Sequence, residues 1–555
     1  MTGIDAFLEI LAAAGERYIF GNPGTTELPL TDALARDRRF EYILGLQEIP
    51  VTAMADGYAQ ASGRAGVVCL HACCGLGNAL GMIYNAHCAG TPLLILAGQQ
   101  DRRLRLGEPV LEGDTVSVVR PWTKWAVEVQ LVEDIPVATR RAYQMARTPP
   151  TGPVFLSIPV DLQWANGERF DLRPPHVPDR GVRPPSSALR EAAALLARAD
   201  SPAILAGSRV AEAHAPAELV ALAETLGAPV YAEAGTAHGR LPMPAHHPLY
   251  AGPLPLWTPE VRQRLQPHDV LLVVGMNLLR LYLWHEADSP LPASARLIHL
   301  DQNAREIGKN FAVEVGLVGD PKAGLAELVS LLANRQTAEH ARQARRRLEA
   351  AAAARAAEQA RLRERIEAER PHRPLMPYVL MDTLARVLPP RAAVVEEAVT
   401  THHYVLERLG VLQDPTGFFA HRGWALGWGI GAALGVRLAW PDRPVLALLG
   451  DGAALYGIQG LWTAAHYRLP VAFVIANNAQ YKILKVCGDL MPLPEMARKN
   501  YVALDLTNPE IDFVSLARAF GVEAHRVAEP DELADRLSSA WKDPRPILLD
   551  VPIER

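Results

Sequence analysis

Two apolar runs, each ending in small polar residues, constrain the fold more than anything else in the sequence. Val445, Leu446, Ala447, Leu448 and Leu449 carry no polar interruption and pass straight into Gly450-Asp451-Gly452. After 18 further residues a second run, 471–476, ends in Asn477-Asn478. Unbroken apolar runs of this length read as strands buried on both faces, as in a parallel sheet. Both polar endings then fall on the carboxyl edge of one sheet, where open α/β sheets bind ligands. One carboxylate, one amide oxygen and one backbone carbonyl at that edge make a hard oxygen set. It suits Mg²⁺, with positions left for phosphate oxygens and water. The glycines allow close backbone approach to a phosphate, and a helix beginning after Gly452 turns its N-terminus toward the anion.

The same βα alternation recurs along the chain. Residues 5–14 read as a helix ended by Gly15, and 18–20 as a short strand running into the turn Gly21-Asn22-Pro23-Gly24. Strands are expected at 41–46, 66–70 and 93–97, with a helix at 50–61. A proline-rich stretch, 173–185, reads as a linker. A second set follows, with strands at 203–206, 230–232, 270–274 and 297–300. Residues 335–370 are nearly continuous helix formers with interleaved Arg and Glu, which predicts a solvated connector helix. A third set has strands at 394–395, 445–449, 471–476 and 547–551. The expected fold class is α/β: three doubly wound parallel-sheet domains at 1–172, 187–335 and 371–555, with a helical connector at 336–370. Three domains suit 555 residues at about 150 per domain.

Charge excludes several functions. The chain has 56 basic and 61 acidic residues, net −5, without the basic excess of a nucleic-acid binder. Five cysteines are no disulfide framework and suit a reducing compartment. Asp5 and Glu9 interrupt the N-terminal apolar run, which reads as an amphipathic helix and not a signal peptide. The longest apolar run, 423–436, is 14 residues and glycine-rich, short of the roughly 20 a membrane span needs. The expectation is a soluble cytoplasmic protein acting on small molecules, with neither nucleic acid nor membrane as partner.

Gly450-Asp451-Gly452 with Asn477-Asn478 resembles the metal–diphosphate motif of thiamine diphosphate enzymes. The resemblance extends over essentially the whole chain, through Phe20-Gly21-Asn22-Pro23-Gly24, Leu46-Gln47-Glu48, the run from Ala55 to Ser62, Ala97-Gly98-Gln99-Gln100 and Leu461-Trp462-Thr463-Ala464-Ala465. These stretches are most similar to the benzoylformate decarboxylase branch. Glu306-Ile307-Gly308-Lys309-Asn310 and Gly316-Leu317-Val318-Gly319-Asp320 are closer to the acetolactate synthase branch. The resemblance implies thiamine diphosphate and Mg²⁺ as cofactors, with Asp451, Asn478 and the carbonyl of Gln480 as metal ligands. Ala479 stands where the family usually has glycine. The family needs a carboxyl group against N1′ of the cofactor's pyrimidine ring, and Glu48 fits that role. A bulky apolar residue beneath the thiazolium is implied at Leu426. Glu397, Gly452, Ala453, Tyr456 and Tyr481 fall at cofactor-contact positions. The implied assembly is a homodimer, commonly doubled to a homotetramer, in which Glu48 and Asp451 act across a subunit interface.

The substrate pocket departs from the pattern. His71 matches a catalytic histidine that assists proton transfer. Thr25 stands where that branch has a carboxylate-binding serine. The second catalytic histidine aligns with Tyr282, and His285 lies three residues on. Leu484 is at a substrate-facing position. The implied activity is decarboxylation of a 2-oxo acid with an aryl or bulky side chain to CO₂ and an aldehyde, with carboligation gaining if one proton-relay group is lost. An acetolactate synthase-like or 2-hydroxyacyl-CoA lyase-like enzyme is the alternative, its CoA form disfavoured by the lack of a clear basic C-terminal tail. A non-catalytic subunit is the other, opposed by intact Glu48, Asp451 and Asn478. His71, Cys73, Cys74, His87 and Cys88 match no common zinc spacing. Leu300-Asp301 suggests a nucleotide-ribose contact, but no GxGxxG precedes it.

Overall fold

The computed structural model describes residues 1–233, 239–282, 289–400 and 414–555. Among the described residues, eighteen strands form three six-stranded sheets in which every named pair runs parallel. The first holds β1 Tyr18–Gly21, β2 Glu41–Leu44, β3 Gly66–Leu70, β4 Leu93–Gln99, β5 Ala126–Glu128 and β6 Val154–Pro159, in the order β2-β1-β3-β4-β6-β5. The second holds β7 Pro202–Ala206, β8 Val230–Ala232, β9 Tyr250–Pro253, β10 Val270–Val274, β11 Arg296–Asp301 and β12 Val315–Val318, ordered β12-β11-β10-β7-β8-β9. The third holds β13 Ala393–Glu397, β14 Phe418–Ala420, β15 Val445–Gly450, β16 Val471–Asn477, β17 Glu523–Arg526 and β18 Ile547–Pro552, ordered β14-β13-β15-β16-β18-β17. The first and third sheets share one order strand for strand. The middle sheet has instead the order of dinucleotide-binding folds.

The α/β class stands as expected. The strands not read from sequence are β5, β6, β9, β12, β14 and β17. Five of them lie at sheet edges, and most are three or four residues long. So short a run leaves little periodicity to read. The connector is one helix, Ala338–Glu369, with pairs such as Arg345–Glu349 and Arg365–Glu369 along its solvent side. It is also pinned to the middle domain, where Arg347 donates to the Leu226 and Asp200 carbonyls.

The first and third sheets are joined by a single apolar core containing Phe20, Met54, Trp428 and Leu449. Its centre is the crossing of the helices Glu48–Ser62 and Trp428–Ala439, which meet backbone to backbone. A Cβ on Gly435 would stand 1.9 Å from the Met54 carbonyl oxygen, and one on Gly57 would stand 2.3 Å from that of Ala432. Trp428 Nε1 donates to the buried Asp56 carboxylate across the same crossing at 2.6 Å.

Candidate active site

β15 and β16 are neighbours, with Gly450 opposite Ala476, so their carboxyl ends lie side by side. Asp451 begins a short helix, Asp451–Ala454, and is 5% exposed. One of its oxygens accepts from the Gly452 amide at 2.9 Å, while Oδ2 is buried and has no hydrogen-bond partner among the described residues. Burial pushes the Asp451 carboxyl up to about 6. An unpartnered buried carboxylate oxygen is costly unless something cationic completes it. Beside it the chain makes two successive Asx turns. Asn477 Oδ1 accepts from the Ala479 amide at 3.1 Å and Asn478 Oδ1 from the Gln480 amide at 3.2 Å. The Gln480 side-chain oxygen is taken by Lys485 Nζ at 2.6 Å. Its backbone carbonyl is therefore the group suited to a cation. Ala479 has φ of +51°, so this chain adopts with alanine the left-handed conformation that glycine favours. A Cβ at Gly452 would stand 2.6 Å from Tyr481 Cε1, so any larger residue there would displace that ring. Ala453 is buried, and Tyr456 is half exposed. The donor set is one carboxylate, one amide and one carbonyl, as a hard divalent cation bridging to phosphate requires. Among the described residues no cluster of three or more His, Cys, Asp or Glu stands ready for another metal.

The first sheet supplies a second group. Glu48 is the first residue of the helix Glu48–Ser62, not a loop residue ahead of it, because the Gln47 side chain caps the Ile49 amide and starts the helix two residues early. It is 5% exposed, and its two oxygens accept from Asn22 Nδ2 and Asn78 Nδ2, both at 3.1 Å. His71 stands at the end of β3, with Nδ1 2.8 Å from Glu27 Oε2 and 3.3 Å from Thr26 Oγ1. The hydrogen bond to Glu27 raises the imidazole above its ordinary value. Burial opposes this, while the charges of Glu27 and Glu48 reinforce it. Glu27 is itself fixed, accepting from the Gly98 amide at 2.9 Å, the Gly24 amide at 3.0 Å and the Thr26 hydroxyl at 2.6 Å. With Nδ1 engaged, Nε2 is the ring nitrogen left to face a ligand. Thr25 is exposed on the same turn, Thr25–Glu27.

Glu27, Asn22, Asn78 and Thr26 were not expected from sequence. A sequence cue for Glu27 exists. It lies three residues after Gly24, a capping-box spacing, on the turn that β1 delivers to the sheet edge where β3 delivers His71.

A third segment, 421–427, links β14 to the helix Trp428–Ala439 and carries Leu426, which is half-buried. Glu397, at the end of β13, accepts from the amides of Gly427 and Trp428 at 2.9 Å and of Gly429 at 2.8 Å. It thereby caps the start of that helix with both oxygens. Burial pushes its carboxyl up to about 8, against the downward pull of those three donors. Tyr282 is half exposed and stacks on Trp424, centroids 5.5 Å apart at 27°. Trp424 has φ of +63°. His285 lies outside the described residues. Leu484 is exposed on the helix Lys482–Asp489.

Comparison with known proteins gives matches over all three sheets. The thiamine pyrophosphate enzyme N-terminal TPP binding domain matches residues 1–118, the central domain residues 189–328, and the C-terminal TPP binding domain residues 398–551. Benzoylformate decarboxylase of Pseudomonas aeruginosa is 35% identical over 554 residues, covering 99% of this chain and 98% of that one. A probable acetolactate synthase large subunit of Methanocaldococcus jannaschii is 29% identical over 576 residues, covering 100% and 92%. Among solved structures, the thiamine diphosphate-dependent 4-hydroxybenzoylformate decarboxylase of Rhodococcus jostii RHA1 superposes with a TM-score of 0.88 at 29% identity, covering 100% of this chain and 99% of that one.

Proposed function

The chain belongs to the thiamine pyrophosphate enzyme family, and we propose that it decarboxylates a 2-oxo acid with an aryl or similarly bulky side chain, releasing CO₂ and an aldehyde. The observation that carries this reading is the buried, unpartnered Oδ2 of Asp451 beside the Asn478 turn, a half-built cation site at the carboxyl edge of the third sheet. Mg²⁺ held by Asp451, Asn478 and the Gln480 carbonyl would neutralise the diphosphate, with Gly452, Ala453, Tyr456 and Tyr481 around it. When bound, thiamine diphosphate supplies the electron sink for loss of CO₂. Glu48, steadied by Asn22 and Asn78, holds a proton at the pyrimidine ring nitrogen. Leu426 supports the thiazolium from the 421–427 segment, and Glu397 fixes where that segment ends.

A 2-oxo acid anion becomes an aldehyde and CO₂ only if one proton is delivered. His71 is the group assigned to deliver it, with Glu27 setting its tautomer and Thr25 at the mouth of the same turn. Similarity to decarboxylases of benzoylformate and 4-hydroxybenzoylformate supports an aryl substrate. Tyr282 stacked on Trp424, in place of a second histidine, favours carboligation as a side reaction, with His285 as the other relay candidate.

The assembly that goes with this reading is a homodimer or homotetramer whose sites each take Glu48 and Asp451 from different subunits. The domain limits are 1–172, 187–335 and 371–555, with 336–370 as connector. No described helix is long and apolar enough to cross a membrane. The five cysteines are free thiols, which supports the cytoplasm.

The test is the protein loaded with thiamine diphosphate and Mg²⁺, offered benzoylformate, 4-hydroxybenzoylformate, branched 2-oxo acids and pyruvate, with CO₂ and aldehyde followed separately. Aryl substrates should lead. Failure to release CO₂ from any of them would overturn the reading.

A further inference from the structure

Arg422 lies four residues before Leu426 on the segment 421–427, yet its side chain points out of its own domain. Its side chain is 3% exposed, and Nη2 lies 2.9 and 3.1 Å from the two carboxylate oxygens of Glu233. Glu233 follows β8 at the carboxyl edge of the middle sheet, and its side chain is 1% exposed. Its carboxylate is held in turn by middle-domain donors: the Ser208 amide at 2.9 Å, the Ser208 hydroxyl at 3.1 Å and the Asn277 amide at 3.3 Å. Gly239 packs on the Arg422 stem, where a Cβ would stand 2.6 Å from Cδ, and its carbonyl accepts from the Ala420 amide at 2.8 Å.

The far end of the segment is held by the N-terminal domain. Asn85 Nδ2 donates to the Ala425 carbonyl at 2.7 Å, and its Oδ1 accepts from the Ala425 amide at 3.1 Å. Leu426 is the next residue. From within the C-terminal domain, Glu397 accepts from the Gly427 and Trp428 amides, and His421 Nδ1 accepts from the Trp424 amide at 3.2 Å.

We propose that Glu233 is a positioning residue: acting through Arg422, it fixes the backbone that presents Leu426, so a middle-domain carboxylate helps set the geometry of the cofactor cleft from outside it. A carboxylate and guanidinium buried this close together cannot separate without leaving a charge poorly compensated in the interior, although Glu212 Oε1 also lies 3.8 Å from Arg422 Nη1. The pair therefore behaves as a latch with one closed geometry, and the segment between it and Asn85 has little freedom. This rests on the reading above that Leu426 lies beneath the thiazolium.

The experiment uses full-length chain, first without cofactor. Backbone hydrogen exchange is followed by mass spectrometry for peptides covering 421–429, alongside urea unfolding and a titration with thiamine diphosphate at saturating Mg²⁺. Glu233→Gln keeps the shape and removes the charge. It should speed exchange in 421–429 by about tenfold or more, the factor that losing a hydrogen bond between charged groups implies. It should weaken cofactor affinity by a similar factor while leaving the strands of all three sheets protected. Arg422→Gln should match it, and the double variant should be no worse than either single one. Wild-type exchange and affinity in Glu233→Gln would overturn the proposal. So would a uniform rise in exchange with a fall in unfolding midpoint, which is the signature of a merely structural pair. If Glu233→Gln does not fold, Ser208→Ala withdraws one donor from Glu233 and keeps both charges. It should show a smaller effect confined to the same peptides, and its absence overturns the proposal. A wild-type chain that does not bind thiamine diphosphate overturns the reading of the site instead, and leaves the exchange result to decide the latch alone.

Discussion

Gly435→Ala sets two well-understood effects against each other. Gly435 is inside the helix Trp428–Ala439, where alanine is favoured over glycine by about 1 kcal/mol of intrinsic propensity. On that ground alone the variant should be more stable. The tertiary structure reverses the sign. The added Cβ would stand 1.9 Å from the Met54 carbonyl oxygen and 2.6 Å from the Tyr58 amide nitrogen, both backbone atoms of the helix Glu48–Ser62. Ordinary contact is nearer 3.5 Å. A side chain could rotate away, but helix backbone yields only if the whole crossing opens. Gly431 and Gly57 hold it equally close, at 2.5 Å from the Pro50 carbonyl oxygen and 2.3 Å from that of Ala432. Overpacking of a core costs about 1–3 kcal/mol and occasionally more. Here the upper end applies, so net destabilisation should be about 2 kcal/mol or more after the propensity gain. With a urea slope of about 1–3 kcal/mol per molar, the midpoint should fall by on the order of 1 M. The helix that opens carries Glu48 at its start, and its partner continues from the Leu426 segment, so thiamine diphosphate affinity should fall with it. Far-UV circular dichroism against urea, and a cofactor titration, measure both. A midpoint equal to or above wild type would refute the backbone-contact reasoning.

Asp451→Ala removes the one anionic ligand of the proposed cation site and should abolish Mg²⁺-dependent retention of thiamine diphosphate, read by equilibrium binding; undiminished affinity contradicts the assignment. Glu48→Gln should still bind the cofactor but lose turnover by about 10²-fold or more, the worth of a positioned proton donor; wild-type rates would dismiss its role. In Glu27→Gln the His71 pKa should drop back toward the ordinary histidine value, read by NMR titration of the ring protons. Because the folded value in wild type is raised, the stability that Glu27 lends is fully present below the ordinary histidine value and is lost as pH rises through the folded one. The unfolding difference between the two proteins should therefore shrink toward alkaline pH, and a difference that grows would refute it. Ala479→Gly relieves a left-handed alanine, worth about 1–2 kcal/mol, against a glycine entropy cost of about 0.5–1 kcal/mol, so stability should be equal or slightly higher with cofactor affinity kept. A loss of affinity would show that the methyl group matters to the site.

What the sequence determined by itself was local and periodic. The apolar run 445–449 stops where glycine begins and delivers Asp451 just beyond, and that boundary is visible without knowing what packs against it. The same holds for Asn477 and Asn478 at the end of β16 and for His71 after β3. The α/β class follows from such boundaries, since buried parallel strands and their crossover helices write themselves into hydropathy. The tertiary structure alone decided partners. Glu27 meets His71 from 44 residues away, Asn78 meets Glu48 from 30, and Glu233 meets Arg422 from 189. No local pattern encodes these meetings, because they depend on sheet order, and the first and middle sheets differ in order although both read as βα repeats. The early start of the Glu48 helix was hidden for a different, local reason, a glutamine cap that is not among the usual N-cap residues, whereas the sign of a glycine at 435 depends on the helix crossing. Propensity is a property of the residue, whereas a 1.9 Å approach is a property of two helices that only the folded chain brings together.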